Sequence, residues 1–209
     1  MTTMLYLVRH AEQELSEQQL TAEEEPATGI SALGQDQAQL LGQRLRGVTL
    51  DGIHHGPSLR ARQTAYVMAE SLPGVSVRET ELLRDRTPMP ERGLENDYSE
   101  AELAWLAEVP VDERDPGGVE ISEALRYFTS EVEGDHVLVT HAFVIGWFVR
   151  SALMAPTNSW LGLSPFNAGL TVIRCRPDHP EQPITLIGYN DIGHLPLEVR
   201  GRTPVALGA

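Results

Sequence analysis

The chain has 209 residues, 41% apolar and 22% charged, and a formal charge of −14 from 30 carboxylates against 16 basic residues, all arginine. That is enough to build a full hydrophobic core in one α/β domain, while so negative a balance argues against nucleic-acid or anionic-membrane partners, which need a basic surface. An anionic small substrate stays open, because surface charge is screened over roughly 10 Å; without lysine, such an anion must be held by arginine, histidine or backbone N–H groups.

Met4-Leu5-Tyr6-Leu7-Val8 is an apolar run that stops at Arg9-His10, the pattern of a strand buried on both faces of a parallel sheet. Gln13 to Gly29 is polar and glutamate-rich, a surface loop. Ser31 to Arg46 has helical spacing with Ser31 as N-cap. Asp51 to His55 is a short strand closed by Gly56-Pro57, and Ser58 to Leu72 a helix ended by Pro73-Gly74. Val75 to Val77 is a brief strand. Residues 86 to 119 hold prolines and acids around one helical piece, Ala101 to Ala107, and are expected to form a lid or insertion. Glu120 to Val132 is helical, Val137 to Thr140 a second strand buried on both faces, and an apolar helix runs from His141 to Met154. Leu170 to Cys175 and Ile184 to Tyr189 complete the strands.

Strands alternating with helices predict an α/β three-layer sandwich, a mainly parallel central sheet with helices on both faces, in one domain spanning 1–209. No repeat or low-complexity tract breaks it. Cys175 is the only cysteine and lies in a strand-like run, which fits an inert thiol and a reducing compartment. The sequence shows no secretory leader and no apolar stretch of about 18 residues, so a cytoplasmic location is expected.

Parallel strands share a C-terminal edge, where ligands bind. Two buried strands end there in histidine, as Val8-Arg9-His10 and Thr140-His141. A third strand end turns at Gly56-Pro57-Ser58 into a helix whose first turn holds Arg60, and a helix N-terminus adds free N–H groups and a positive dipole end. Two histidines and two arginines at one edge describe a site for a phosphoryl dianion.

With these residues in view the chain resembles the histidine phosphatase superfamily, with its phosphoglycerate-mutase-like fold. The matching segments, in family order, are Leu7-Val8-Arg9-His10; Ile30-Ser31-Ala32-Leu33-Gly34 with Gln37-Ala38; Ser58-Leu59-Arg60-Ala61-Arg62-Gln63-Thr64-Ala65; Leu83-Arg84-Asp85; and Val139-Thr140-His141. The resemblance implies that His10 is the nucleophile and forms a phosphohistidine, that Arg9, Arg60 and His141 bind phosphoryl oxygens, and that Asp85 is the general acid/base, with His141 among the catalytic residues. No metal and no cofactor are expected, since arginines take the electrostatic role. His55, Asn167 and His194 are candidates for the pocket wall, with Asn190-Asp191-Ile192-Gly193-His194 supporting it by hydrogen bonds. His136 and His179 sit in polar turns and are expected to be exposed.

The sequence departs from the family at Ala11 and Ala142, where glycine is common, and at Gly56, where serine is common; Asp85 is one methylene shorter than glutamate, with Glu79 and Glu81 as nearby competitors. The expected activity is metal-independent hydrolysis of a small phosphorylated substrate by a monomer or homodimer. Phosphoglycerate mutase chemistry is the rival within the family; it needs extra cations, and residues 86–119 offer only Arg86, Arg92 and Arg114. A non-catalytic phospho-ligand binder is the rival outside enzymes. A metallohydrolase built on His10, His54, His55, His141 and Asp85 is disfavoured, because pocket arginines repel a dication.

Overall fold

The computed structural model describes residues 2–14, 27–179 and 181–201. Strand β1 (Thr3–Arg9) lies inside a six-stranded sheet. It pairs in parallel with β6 (His136–Thr140) on one side and antiparallel with β7 (Leu170–Cys175) on the other. Beyond β6 come β2 (Gly52–His55) and β3 (Val77–Glu79), both parallel to it; beyond β7 comes β8 (Ile184–Asp191), giving the order β3-β2-β6-β1-β7-β8. Only β7 runs against the rest, because a short connection returns it to β8 as a hairpin. The sheet is mainly parallel, as the alternating pattern predicts.

The Met4–Val8 stretch of β1 is an unbroken apolar run because both faces of the strand are covered. Leu5 and Leu7 pack with Leu138 and Ile173 against α4 (Val119–Ser130) and α5 (Ala142–Ala152), which supply Phe128 and Phe148. Val8 faces the other way, joining Val137, Val139 and Ile53 under α1 (Ala32–Arg44) and α2 (Leu59–Ala69), which supply Leu41, Ala65 and Met68. Each of these leucine, valine, isoleucine, methionine and phenylalanine side chains withdrawn from water contributes ~1.5–3 kcal/mol, and the cost of breaking this pattern fixes the register of β1. That register decides where Arg9 and His10 emerge: Arg9 lies opposite Thr140, and the His10 N–H donates to the Thr140 carbonyl at 2.9 Å.

Ser31 caps α1 as its residue type predicts, its Oγ accepting from the Gly34 N–H at 3.0 Å. β3 starts two residues later than the apolar pair Val75 and Val77 suggests. Residues 15–26, the heart of the predicted surface loop, lie outside the described residues.

The segment 86–119 has more order than its composition suggests. β4 (Thr87–Met89) and β5 (Arg114–Pro116) form a small parallel pair, with α3 (Glu100–Glu108) between them under a Ser99–Glu102 capping box. Tyr98 and Leu106 are buried in the α4–α5 cluster, and the Asp115 carboxylate accepts the Glu120 and Ile121 N–H groups at 3.0 and 2.9 Å, capping α4. Strands of three residues carry too little periodicity to be read from sequence.

Candidate active site

Two parallel strand ends and one helix bring His10, His141 and Arg60 together. The rings of His10 and His141 lie 5.2 Å apart. His10 is buried, and its Nδ1 lies 2.9 Å from the Ala11 carbonyl. A carbonyl only accepts, so Nδ1 carries the proton and Nε2 keeps the lone pair. That lone pair accepts from Arg60 Nε at 3.3 Å. Burial, then the charges of Arg60, His141 and Arg9, hold the His10 ring well below the ordinary histidine value, against a smaller opposing pull from the Ala11 bond. A neutral imidazole with its Nε2 lone pair among cations is a nucleophile aimed at an anion.

Arg60 follows the N-cap Ser58 and is 2% exposed. Its Nη2 reaches Asp85 Oδ2 at 3.3 Å and lies 3.2 Å from His141 Nδ1. Asp85 Oδ2 is closer still to His141 Nδ1, at 3.0 Å, so this nitrogen donates to the carboxylate while His141 Nε2 faces Ser58 Oγ at 3.3 Å. Burial pushes the Asp85 carboxyl up, but His141, Arg60 and Arg9 together outweigh it and hold the group below the usual carboxylate value. About a third of the Asp85 side chain stays open to solvent (30%).

Arg9 is anchored by Nη1 donating to the Pro165 carbonyl at 2.9 Å, and its charge is felt at both His10 and Asp85. The neighbouring loop clamps the strand end: the Ala168 N–H donates to Arg9 O at 3.0 Å, and Asn167 Nδ2 to His10 O at 2.9 Å. Asn190, in the left-handed region at φ 53°, accepts the Phe166 N–H at 2.9 Å and braces that loop. Asn167 thus supports the backbone of the nucleophile.

A profile of the histidine phosphatase superfamily (branch 1) matches residues 5–184, which include Arg9, His10, Arg60, Asp85, His141 and Asn167. The chain belongs to that superfamily. It is 29% identical to the mitochondrial serine/threonine-protein phosphatase PGAM5 of Xenopus laevis over 97% of this chain and 70% of that protein. It is 30% identical to the mouse protein of the same name over 93% of this chain and 65% of that one, so it spans about two thirds of these curated relatives. Among solved structures it is similar to YhfR of Bacillus stearothermophilus (19% identity, TM-score 0.71, 92% of this chain and 98% of that one) and to a phosphoglycerate mutase of Bacillus anthracis (17%, 0.71, 92% and 95%). Those structural likenesses show the fold. The mitochondrial location is part of the relatives' names, and the comparisons lend no support to the cytoplasmic location expected of this chain. Among the described residues no helix is long and apolar enough to cross a membrane.

Within this superfamily site, Asp85 alone of the three candidate acids reaches His141 and Arg60: Glu79 lies on edge strand β3, and Glu81 is exposed and paired with Arg84 at 2.6 Å. His55 is buried with its Nδ1 donating to the Gly56 carbonyl at 2.7 Å and its ring facing Tyr66. His194 is half-buried beside Asp191, and burial lowers its ring below the usual value. Neither contributes a bond to the His10–Arg60–His141–Asp85 group. His136 corrects an expectation: it opens β6, is buried, and donates from Nε2 to Glu133 O at 2.8 Å, whereas His179 is exposed as expected. Cys175 is buried and its thiol pushed up to about 12, which makes it inert.

Sequence reading left three hydroxyls without a role. Thr64 Oγ1 accepts the Ala11 N–H at 2.9 Å and donates to Arg60 O at 2.7 Å. Ser58 combines the cap of α2 with its contact to His141. Thr140 Oγ1 donates to the Leu83 carbonyl at 3.0 Å, two residues before Asp85. The only signal for the first was a threonine one helical turn after Arg60.

Proposed function

We propose that the protein is a metal-independent phosphomonoesterase that works through a phosphohistidine on His10. The observation that carries this reading is how the His10 ring is held: Nδ1 sits 2.9 Å from the Ala11 carbonyl, which leaves Nε2 with the lone pair, facing Arg60 beside His141 and Asp85.

In this reading His10 Nε2 attacks phosphorus as the bond to the ester oxygen breaks, while Arg9, Arg60 and His141 stabilise the charge on the equatorial oxygens. The proton for the departing oxygen comes from Asp85. The free carboxyl is held low by the same cations that a phosphoryl dianion would occupy. A bound dianion neutralises them and adds its own repulsion, so the Asp85 carboxyl rises toward the range where it carries a proton. The resulting carboxylate then takes a proton from the water that attacks phospho-His10, releasing phosphate.

Hydrolysis is favoured over mutase chemistry because two of the three arginines in 86–119, Arg86 and Arg114, are committed elsewhere. Arg86 pairs with Glu120 at 2.8 Å and donates to Asp112 O, and Arg114 donates to the Val109 and Ala107 carbonyls, both at 2.8 Å. The names of the curated relatives make phosphoserine and phosphothreonine esters substrates to try beside small esters. A monomer or homodimer without metal or cofactor remains part of the proposal.

The test is turnover of p-nitrophenyl phosphate with and without EDTA, beside His10→Ala. Turnover that survives EDTA and disappears in the variant supports the reading. Loss on chelation, or a variant as active as the parent, overturns it, and binding of phosphate esters without turnover makes the protein a binder. Conversion of 3-phosphoglycerate to 2-phosphoglycerate faster than its hydrolysis would make it a mutase.

A further inference from the structure

We propose that Gly56 is a positioning residue: the absence of its side chain lets the Leu83 backbone come close enough for the short Asp85 side chain to reach His141 and Arg60. The proposal rests on the phosphatase reading for what Asp85 does, and on geometry alone for where Asp85 sits.

A Cβ added at Gly56 would lie 2.3 Å from the Leu83 carbonyl oxygen and 2.9 Å from its carbon, both backbone atoms. Neither side can yield cheaply. The Gly56 N–H is tied to Val139 O at 3.1 Å, and the preceding carbonyl, of His55, takes the Thr80 N–H at 2.9 Å. On the other side the Leu83 carbonyl accepts Thr140 Oγ1 at 3.0 Å, and the Leu83 side chain is fully buried. Leu83 O is therefore wedged between the ends of β2 and β6. From there Arg84 runs extended, at φ −59° and ψ 151°, and Asp85 delivers Oδ2 to within 3.0 Å of His141 and 3.3 Å of Arg60.

The magnitudes match. An ordinary contact of 3.4 Å would require the carbonyl to retreat by about 1 Å from 2.3 Å. The extra methylene of a glutamate adds about 1.3 Å of reach. A glycine at 56 with an aspartate at 85, and a serine at 56 with a glutamate at 85, are thus two solutions of one distance, and the two positions are coupled.

The experiment compares the parent chain with Gly56→Ser, Asp85→Glu and the double variant, on p-nitrophenyl phosphate (a good leaving group) and glycerol 2-phosphate (a poor one). Each single variant is expected to lower kcat for glycerol 2-phosphate by about 30-fold or more with KM within about threefold, and to slow p-nitrophenyl phosphate far less, because only the poor leaving group depends on the acid. The double variant recovers at least about tenfold over Gly56→Ser. Additive losses, or equal losses on both esters, overturn the proposal. A crystal structure of Gly56→Ser reads the same claim without turnover: the Asp85–His141 contact is expected to open, and an unchanged contact overturns the proposal even if the phosphatase reading itself fails. Should Gly56→Ser not fold, Thr140→Val releases the same carbonyl without adding bulk. It is expected to slow only glycerol 2-phosphate, and unchanged kinetics would overturn the proposal.

Discussion

The Thr64 hydroxyl joins the loop after the nucleophile to the helix that carries its arginine, accepting from Ala11 N at 2.9 Å and donating to Arg60 O at 2.7 Å. Thr64 and Ala11 are both fully buried. Ala11 packs with Ile30 and Ala38, so its methyl group belongs to a small apolar cluster at this site.

Replacing Thr64 by valine keeps the shape but strands the Ala11 N–H in a dry interior. An unsatisfied buried donor costs about 1–3 kcal/mol. Thr64→Val is therefore expected to lose about that much stability in urea unfolding, while Thr64→Ser retains most of it. Equal stability of Thr64→Val and the parent would contradict the assignment.

The path of β1 and the convergence of three strand ends were legible in the sequence because burial on both faces leaves an unbroken apolar run. His10 and His141 followed from where such runs stop, and Arg60 from the Gly56-Pro57-Ser58 turn that opens a helix. The small β4–β5 pair was not legible, since Thr87–Met89 and Arg114–Pro116 are too short to show a period. His136 was misjudged because β6 begins one residue before its apolar run, and a histidine at a strand start looks like a turn residue. The choice of Asp85 over Glu79 and Glu81 needed distances, and so did the closeness of Gly56 to Leu83, which no local pattern encodes.

Arg60 touches His10, His141 and Asp85 from one planar group. Lysine supplies the charge but not the fork. Arg60→Lys is expected to lower kcat/KM for p-nitrophenyl phosphate about 100-fold or more, with the fold intact by circular dichroism. A loss under about threefold would show that charge alone suffices.

His10 is held well below the ordinary histidine value, chiefly by burial and then by neighbouring cations. It should stay neutral as the pH falls through the usual histidine range of about 6.5. NMR titration of the free protein is expected to show His10 as the Nδ1–H tautomer with no change between about pH 7.5 and 5.5. A midpoint near 6.5 would contradict this environment.

His54 is lowered to about 4, first by burial and then by His136, Arg78 and His55. A depressed histidine means that the unfolded chain takes up a proton which the native state refuses, so stability falls as pH drops below about 6.5 and levels off near 4. Urea unfolding at pH 5.0 is expected to show less stability than at pH 7.5. The His54 share is ~1 kcal/mol after allowing for solvent screening of a half-buried ring. His54→Gln should shrink the difference by that amount, and an undiminished difference would remove His54 from the explanation.

The most direct test of the central claim is to quench the enzyme during turnover of a labelled phosphomonoester and locate the trapped phosphoryl group by mass spectrometry. The expected result is a phosphoryl group on His10, labile in acid and stable in alkali as a phosphorus–nitrogen bond requires, and absent from His10→Asn. A phosphoryl group on another residue, or undiminished turnover by His10→Asn, would contradict the account.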